Sequence, residues 1–460
     1  MYFCFGLLKH FIVPRDNRSI IKKPVVGMVR LVISAGNSFT CAVCFEDGEP
    51  NYLDGGLSLD FPSVVSFKGG FRTVGGEEFS HTDPNTIFDI RRLIGRSYHS
   101  ISTEERTQWP FEIEQSEREQ ILVLVDYLDQ RRKFSPEELL AMIYRKVKLE
   151  AEQQMGKEID EAALIVPNYF NEPQRKATID AAHIAGFRRL RLHNESSSVA
   201  LSMSMQQNRQ TTEVYLFVLH FGSSVYEATV FLIEDEIVET VSTAGDTSLG
   251  GIEFTNALVS HVIKLLDLKG TSNERMRLFP LCEQAKLSLS TEFEVKIPVH
   301  DFCSQPFVVV TREEYKQMCT KLLKRCLSIL EDALDYSQRK KRDFRGDNII
   351  AIGSSCQMLC MQQLLAEYFG GSSIRYLRTP NIFNATARNL LSNSDWLLLD
   401  VNPRTIGLEV AGGVMQVVIA RNATIPRKTV RTFTTHIDNQ SVLLGQLFEG
   451  EEPMTKDNTL

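Results

Sequence analysis

Nowhere do the 460 residues contain an apolar run close to the ~18 residues that a membrane-spanning helix needs. A basic surplus is missing too: 51 Lys+Arg against 58 Asp+Glu leave a net charge of −7, which argues against an extended nucleic-acid surface. The one basic run, Arg339-Lys-Lys-Arg342, reads as a solvated loop or helix end. There is no cysteine framework, because the nine cysteines are odd in number and irregularly spaced, which fits a reducing compartment. Cys41 and Cys44 spell C-x-x-C, but residues three apart in a strand point to opposite faces, and no second pair completes a zinc site. No metal centre is expected. Phe3, Phe5, Leu7 and Leu8 form a short apolar run with no basic residues before it and no clear cleavage site after it. Lys9, Arg15, Arg18, Lys22 and Lys23 give residues 1–23 a weak transit-peptide flavour; the expectation is a disordered extension.

What is present is an ordinary globular composition, 43% hydrophobic and 24% charged, in a chain long enough for two or three domains. The most organised stretch is 214–233, VYLFVLHFGSSVYEATVFLI, two apolar strands joined by a tight turn at Gly222-Ser223-Ser224. A weaker copy, VRLVISAGNSFTCAVCF over 29–45, turns at Gly36-Asn37-Ser38. Two copies of one strand–turn–strand unit predict a duplicated architecture with a site clamped between the turns. Between them, residues 85–95 read as a short helix stopped at Gly95. Ser135-Pro136-Glu137-Glu138 is a capping box opening a helix that ends at Gly156. Residues 162–167 read as a central strand, 174–185 as a helix, and 190–192 as a short strand. After the second hairpin, 252–266 and 318–334 read as amphipathic helices and 348–352 as a buried strand. Strands alternating with helices predict an α/β layered fold, and the lack of long helical patterns after residue 395 predicts an all-β segment.

VPNYFNEPQRKAT over 166–178, TAGDTSLGGIEF over 243–254 and DWLLLD over 395–400 carry a family likeness, as do GGVM over 412–415 and TFTTHIDNQ over 432–440. From about Pro24 onward the chain resembles the 70-kDa heat-shock chaperones, with EGEEPMTKDN over 449–458 closest to the cytosolic branch. The resemblance implies a two-lobed actin-like ATPase fold of duplicated ribonuclease-H-like subdomains, followed by a partial β-sandwich. It places an extension at 1–23, the nucleotide-binding-type domain at 24–392, the interdomain linker at 393–401, and a C-terminally truncated peptide-binding β-domain without a helical lid at 402–460.

Such a site needs turn amides for the phosphates, glycines for close approach and φ > 0, carboxylates for the waters of a magnesium ion, and a lysine at the γ-phosphate. The family's first strand ends Asp-Leu-Gly-Thr-Thr, and here it reads Ser34-Ala35-Gly36-Asn37-Ser38. The second hairpin, Asp-Leu-Gly-Gly-Gly-Thr in the family, reads His220-Phe221-Gly222-Ser223-Ser224-Val225, and the next family aspartate is Glu227. The family lysine falls on Phe79, while Glu195 is retained as the family's catalytic glutamate. His220 reads as a packed or half-exposed residue, with no second histidine placed near it. On the adenosine side Glu283, Lys286 and Ser290 are kept, the stacking arginine is Leu287, and the second loop is Gly353-Ser354-Ser355-Cys356-Gln357. Residues 381–386 replace a longer family segment. The expected nucleotide-binding positions are therefore Gly36, Asn37, Ser38, Gly222, Ser223, Ser224, Glu283, Lys286, Ser290, Gly353 and Ser355.

Pro167, Arg175, Leu397, Leu398 and Leu399 match the positions that couple nucleotide state to the linker, and Ala411, Phe433, His436 and Leu443 match peptide-binding positions. The expectation is a cytoplasmic, non-hydrolysing binding or regulatory module with weak ATP or ADP binding and no magnesium held in the family manner. Its expected partners are co-chaperones and unfolded polypeptides, with no nucleic acid and no membrane. The alternative is an ATP-dependent chaperone for unfolded proteins with weak residual binding and hydrolysis.

Overall fold

In the computed structural model the two strand–turn–strand units head two separate sheets; the residues described are 2–4, 29–46, 49–51, 59–76, 79–206, 213–344, 348–377, 396–432 and 445–459. Val29–Ala35 and Phe39–Glu46 form the first hairpin, and Glu161–Val166 and then Arg189–Asn194 add in parallel beside Val29–Ala35. Every second residue of a strand faces the same side, so Cys41 and Cys44 enter different apolar clusters on opposite faces. Both thiols are buried and held protonated, Cys44 pushed up to about 12 by burial. The C-x-x-C is a packing feature.

The second sheet repeats the plan. Val214–Phe221 pairs antiparallel with Tyr226–Glu234, which pairs with Ile237–Asp246, while Ile349–Ile352 adds in parallel to Val214–Phe221. Each sheet has its own core: Leu31, Ile33, Leu139 and Val147 in the first, Phe217, Phe221, Phe254 and Leu330 in the second. The helices begin where side chains can satisfy their free N–H groups. Ser135 and Glu138 complete a capping box for Pro136–Met155, which Gly156 closes in the left-handed conformation, and Asn171 and Gln174 do the same for Glu172–Ile184. Glu195–Gln206, Gly251–Leu265, Ser272–Ser288 and Thr320–Ser337 complete the main helices. Among the described residues no helix is long and apolar enough to cross a membrane.

Three expectations need correction. The helix expected over 85–95 shrinks to Ile90–Leu93, because Thr86–Ile87 pairs as a strand with Val65–Lys68 and Asp89 takes a left-handed conformation (φ 57°). The helix expected from 318 starts at Thr320, after the separately capped turn Arg312–Met318. Neither Gly36 nor Gly222 has a positive φ. Gly36 is required instead by proximity, since a Cβ there would lie 2.6 Å from the Phe39 carbonyl oxygen.

Beyond Trp396 the described residues form strands and one short 3-10 turn. Leu397–Val401 adds in parallel to the second sheet beside Ile237–Asp246, and Thr424–Ile425 pairs with its far side. Val414–Ile419, Ile406–Val410 and Leu447–Glu449 make a three-stranded antiparallel sheet, so the architecture is an actin-like two-lobed fold followed by sandwich strands. The extension expected over 1–23 lies outside the described residues apart from Tyr2–Cys4, which pairs with Val430–Thr432. Residues 381–386 also lie outside.

Gly353 locks the second hairpin to its neighbouring strand. Its φ is +93°, and a Cβ would sit 2.2 Å from the Phe221 carbonyl oxygen. Gly353→Ala is expected to lower unfolding stability by ~2–4 kcal/mol, since both backbone strain and a backbone clash are introduced. Urea unfolding of the two proteins checks this, and unchanged midpoints would refute it.

Candidate functional site

The two turns face each other across a cleft of about 250 Å³. In the first, Gly36 N–H donates to Phe39 O (2.8 Å), and the Asn37 amide donates to Asp89 Oδ1 (2.6 Å). In the second, Gly222 N–H donates to Val225 O (2.9 Å). The Gly222 carbonyl accepts from Gly251 N–H and the Ser355 hydroxyl, and Ile252 N–H donates to Ser223 O. The start of helix Gly251–Leu265 is thus welded to the turn. The N–H groups of Asn37, Ser38, Ser223 and Ser224 engage no backbone acceptor among the described residues.

Charge in the cleft centres on His220, only 4% exposed. Its Nε2 is 3.6 Å from Glu195 Oε1 and its Nδ1 is 3.7 Å from Glu227 Oε2. Glu227 lies directly opposite it in the antiparallel ladder, and Glu195 opens the helix that leaves the first sheet. Burial alone would push the imidazole toward neutrality, but Glu195 and then Glu227 outweigh it, so its pKa is raised. The reading of His220 as a packed residue holds only for its burial: two carboxylates that no sequence pattern places near it make it an ionic centre. Glu227, fully buried, also accepts from Tyr169 N–H (2.9 Å).

Three arginines join the cleft wall, and sequence reading missed all of them. Arg91 Nη2 is 3.7 Å from Glu195 Oε2, with no hydrogen-bond partner among the described residues; its guanidinium lies 5.6 Å from the Phe170 ring centre. Buried Arg92 lies 3.8 Å from Asp89, 3.2 Å from Glu105 and 3.9 Å from Glu253, the last reaching across from the second lobe. Arg96 pairs with Glu105 (2.9 Å). The one local feature is the adjacent pair Arg91-Arg92 just before Gly95, and since neighbours on a helix diverge by about 100° it does not by itself direct either side chain into a cleft. Phe79 does not line the cleft; its ring packs 4.7 Å from His81, which in turn reaches Phe88 (5.1 Å) and Phe279 (5.9 Å).

Of the positions expected to bind nucleotide, Gly36, Asn37, Ser38, Gly222, Ser223, Ser224 and Gly353 line the cleft, together with Glu195 and Pro167. Ser355 braces the second turn from behind. The adenosine-side group lies apart. Lys286 donates to Gly251 O (3.1 Å) and Glu283 Oε2 (2.8 Å), and the Thr255 hydroxyl donates to the same carboxylate. Lys286 and Ser290 line a separate hollow of about 20 Å³. Arg175 donates to Phe170 O (3.0 Å) and Asn168 O (3.1 Å). Leu397, Leu398 and Leu399 pair with Ile237, Val238 and Glu239, and Asp400 accepts from Ser197 Oγ (2.5 Å) and Thr240 Oγ1 (3.1 Å). Ala411 is exposed in the turn after Ile406–Val410, whereas Phe433, His436 and Leu443 lie outside the described residues.

The interlobe pairs carry a pH signature. Burial, opposed by Arg92, raises the Glu253 carboxyl to about 7. A buried acid with a raised pKa favours the folded state while protonated, so its contribution is present below its unfolded value of 4.5 and is lost as pH climbs through 7. The raised pKa of His220 acts with the same sign, its contribution vanishing as pH rises through its folded value. Stability is expected to fall between pH 5 and 8.5 by on the order of 2–3 kcal/mol. Glu253→Gln is expected to flatten the profile, and urea unfolding across that range reads both.

The family profile described as Hsp70 protein matches residues 33–460. The chain is similar to the heat shock cognate 70 kDa protein 3 of Dictyostelium discoideum, 30% identical over 458 residues that span 94% of this chain and 72% of that protein. It is likewise similar to the heat shock 70 kDa protein of Trichophyton rubrum, 31% identical over 462 residues, 95% of this chain and 69% of that one. With two facing turns on duplicated sheets and a match that runs from the first hairpin to the last strands, the chain belongs to the Hsp70 family of chaperones.

Proposed function

We propose that this Hsp70-family chain is a non-hydrolysing binding or regulatory module, with 24–392 as a nucleotide-binding-type domain, 393–401 as linker and 402–460 as a peptide-binding β-domain. The observation that carries the reading is the His220 ring wedged between Glu195 and Glu227. The family binds ATP or ADP with magnesium, and the donors here do not fit that ion. Ser34 and His220 stand where the family has carboxylates, and an imidazole already fills the space between the two acids that remain. Among the described residues no group of three or more His, Cys, Asp or Glu is arranged to hold a metal. Phe79 offers no charge to a γ-phosphate and is packed among aromatic rings.

With the carboxylates and the lysine gone, terms each worth roughly 10²–10³ in rate vanish together, even though they do not add fully. The facing turns, the strand Leu397–Val401 paired onto the second sheet and the buried Arg175 support binding rather than chemistry. Co-chaperones and unfolded polypeptides, met in the cytoplasm, are the partners this reading assigns. The docked linker favours, as second reading, a slow ATP-dependent chaperone.

Phosphate release from ATP with magnesium separates the two. The expected rate is at least ~10³-fold below that of a family member carrying the aspartates and the lysine. Turnover within tenfold of such a member overturns the proposal.

A further inference from the structure

We infer that the two lobes are held together beside the cleft by an aromatic clasp, His81 against Phe279, that loosens when the His81 ring takes up a proton. The clasp is the outer end of a chain of rings. Phe279 lies on the helix Ser272–Ser288 and packs against the second core, and its ring centre is 5.9 Å from that of His81. His81 belongs to the first lobe, just before the strand Thr86–Ile87, and its ring lies 4.7 Å from Phe79 and 5.1 Å, edge to face, from Phe88. Phe88 packs on the first core and continues to Phe111 (5.8 Å), which stacks on Trp109 (5.6 Å). Rings at these separations attract one another beyond the area they bury.

A second crossing between the lobes shares the same base. Trp109 Nε1 donates to Asp89 Oδ2 (3.1 Å), Asp89 faces Arg92 (3.8 Å), and Arg92 reaches Glu253 of the second lobe (3.9 Å). Arg92 lines the cleft, whereas His81 and Phe279 stand outside its lining. The lobes are thus joined at two separate places, one ionic and one aromatic.

The aromatic crossing carries a titratable ring. His81 is half-buried, and the charged groups facing it are Asp89 on its own lobe and Glu283, one turn beyond Phe279 on the opposite helix. Asp89 already accepts from Asn37 and Trp109, and Glu283 from Lys286 and Thr255. Burial outweighs both acids, and the pKa of His81 lies below its ordinary value. Such a ring binds its proton more tightly once the lobes part, so acid favours parting. Its contribution to closure is present above the ordinary value of 6.5 and is lost as pH falls from there through the lowered value. Glu253 and His220, whose pKa values are raised, act with the opposite sign, so loosening on the acid side is not theirs. The clasp does not rest on the non-hydrolysing reading, since a proton on His81 alters it whether or not ATP is turned over.

Hydrogen exchange of the full chain at about pH 7.5 and about pH 5.5 tests this, each amide rate being divided by its intrinsic rate at that pH. The segments that report are 79–93 and 272–288. His81→Phe keeps a ring at the crossing and removes the titration. It is expected to protect both segments at least ~3-fold better than the unaltered chain at the lower pH, and to match it within about twofold at the higher. Phe279→Ala is expected to lower protection of 79–93 at least ~3-fold at the higher pH and to leave a smaller change on acidification. A His81→Phe chain that follows the unaltered chain at both pH values overturns the inference, as does a folded Phe279→Ala chain with unaltered protection. If His81→Phe does not fold, Phe279→Ala decides alone: a response to acid as large as that of the unaltered chain overturns the clasp, and a diminished one supports it.

Discussion

A carboxylate withdrawn from water must be neutralised by a proton or a cation, and Glu227, with no exposed surface, sets that demand at the centre of this fold. His220 meets it from directly across the ladder and extends the same charge to Glu195 at the end of the first sheet. One imidazole therefore ties the second hairpin to the element that leaves the first lobe. Removing either acid would leave the ring with one partner, and removing the ring would leave buried Glu227 and half-buried Glu195 facing each other. The second arrangement is the costlier, because like charges in a water-poor cleft repel with little screening. Arg92, spanning to Glu253 while held by Asp89 and Glu105, repeats this logic a few residues away.

The elements that local chemistry dictates were readable from the residues. Both hairpins, the Ser135 capping box, the Gly156 stop and the strand before Gly353 depend on neighbours within a few positions, so period and punctuation reveal them. The stretch 85–95 was misread because its apolar spacing is helical while its partners are distant. Val65–Lys68 claims Thr86–Ile87, and Asn37 and Trp109 claim Asp89. Nothing in 85–95 itself records those contacts.

The site divided in the same way. Ser34, His220 and Phe79 stand in the sequence where the resemblance implies two carboxylates and a lysine. What His220 does instead was not, since its two acids lie 25 and 7 positions away on different elements (220 − 195 and 227 − 220). The three arginines escaped for a related reason: a charged residue near a glycine stop reads as surface until a cleft is folded around it. Likewise side-chain geometry, which the sequence does not record, decides that Lys286 donates to Glu283 and to Gly251 O.

A ligand shifts a conformational equilibrium only by as much as it prefers one state over the other. In a cleft whose cation arrives with the nucleotide, charge and occupancy change together, and docking elsewhere can follow. Here the His220 ring, part of the chain itself, lies between Glu195 and Glu227. The contacts that hold the β-strands against the lobes do not wait for a ligand. Arg421 donates to Thr243 O (2.8 Å) and stacks 4.2 Å from Tyr336, Asn422 accepts from Thr243 N–H, and Arg404 lies 4.6 Å from the ring of Tyr169, whose N–H holds Glu227.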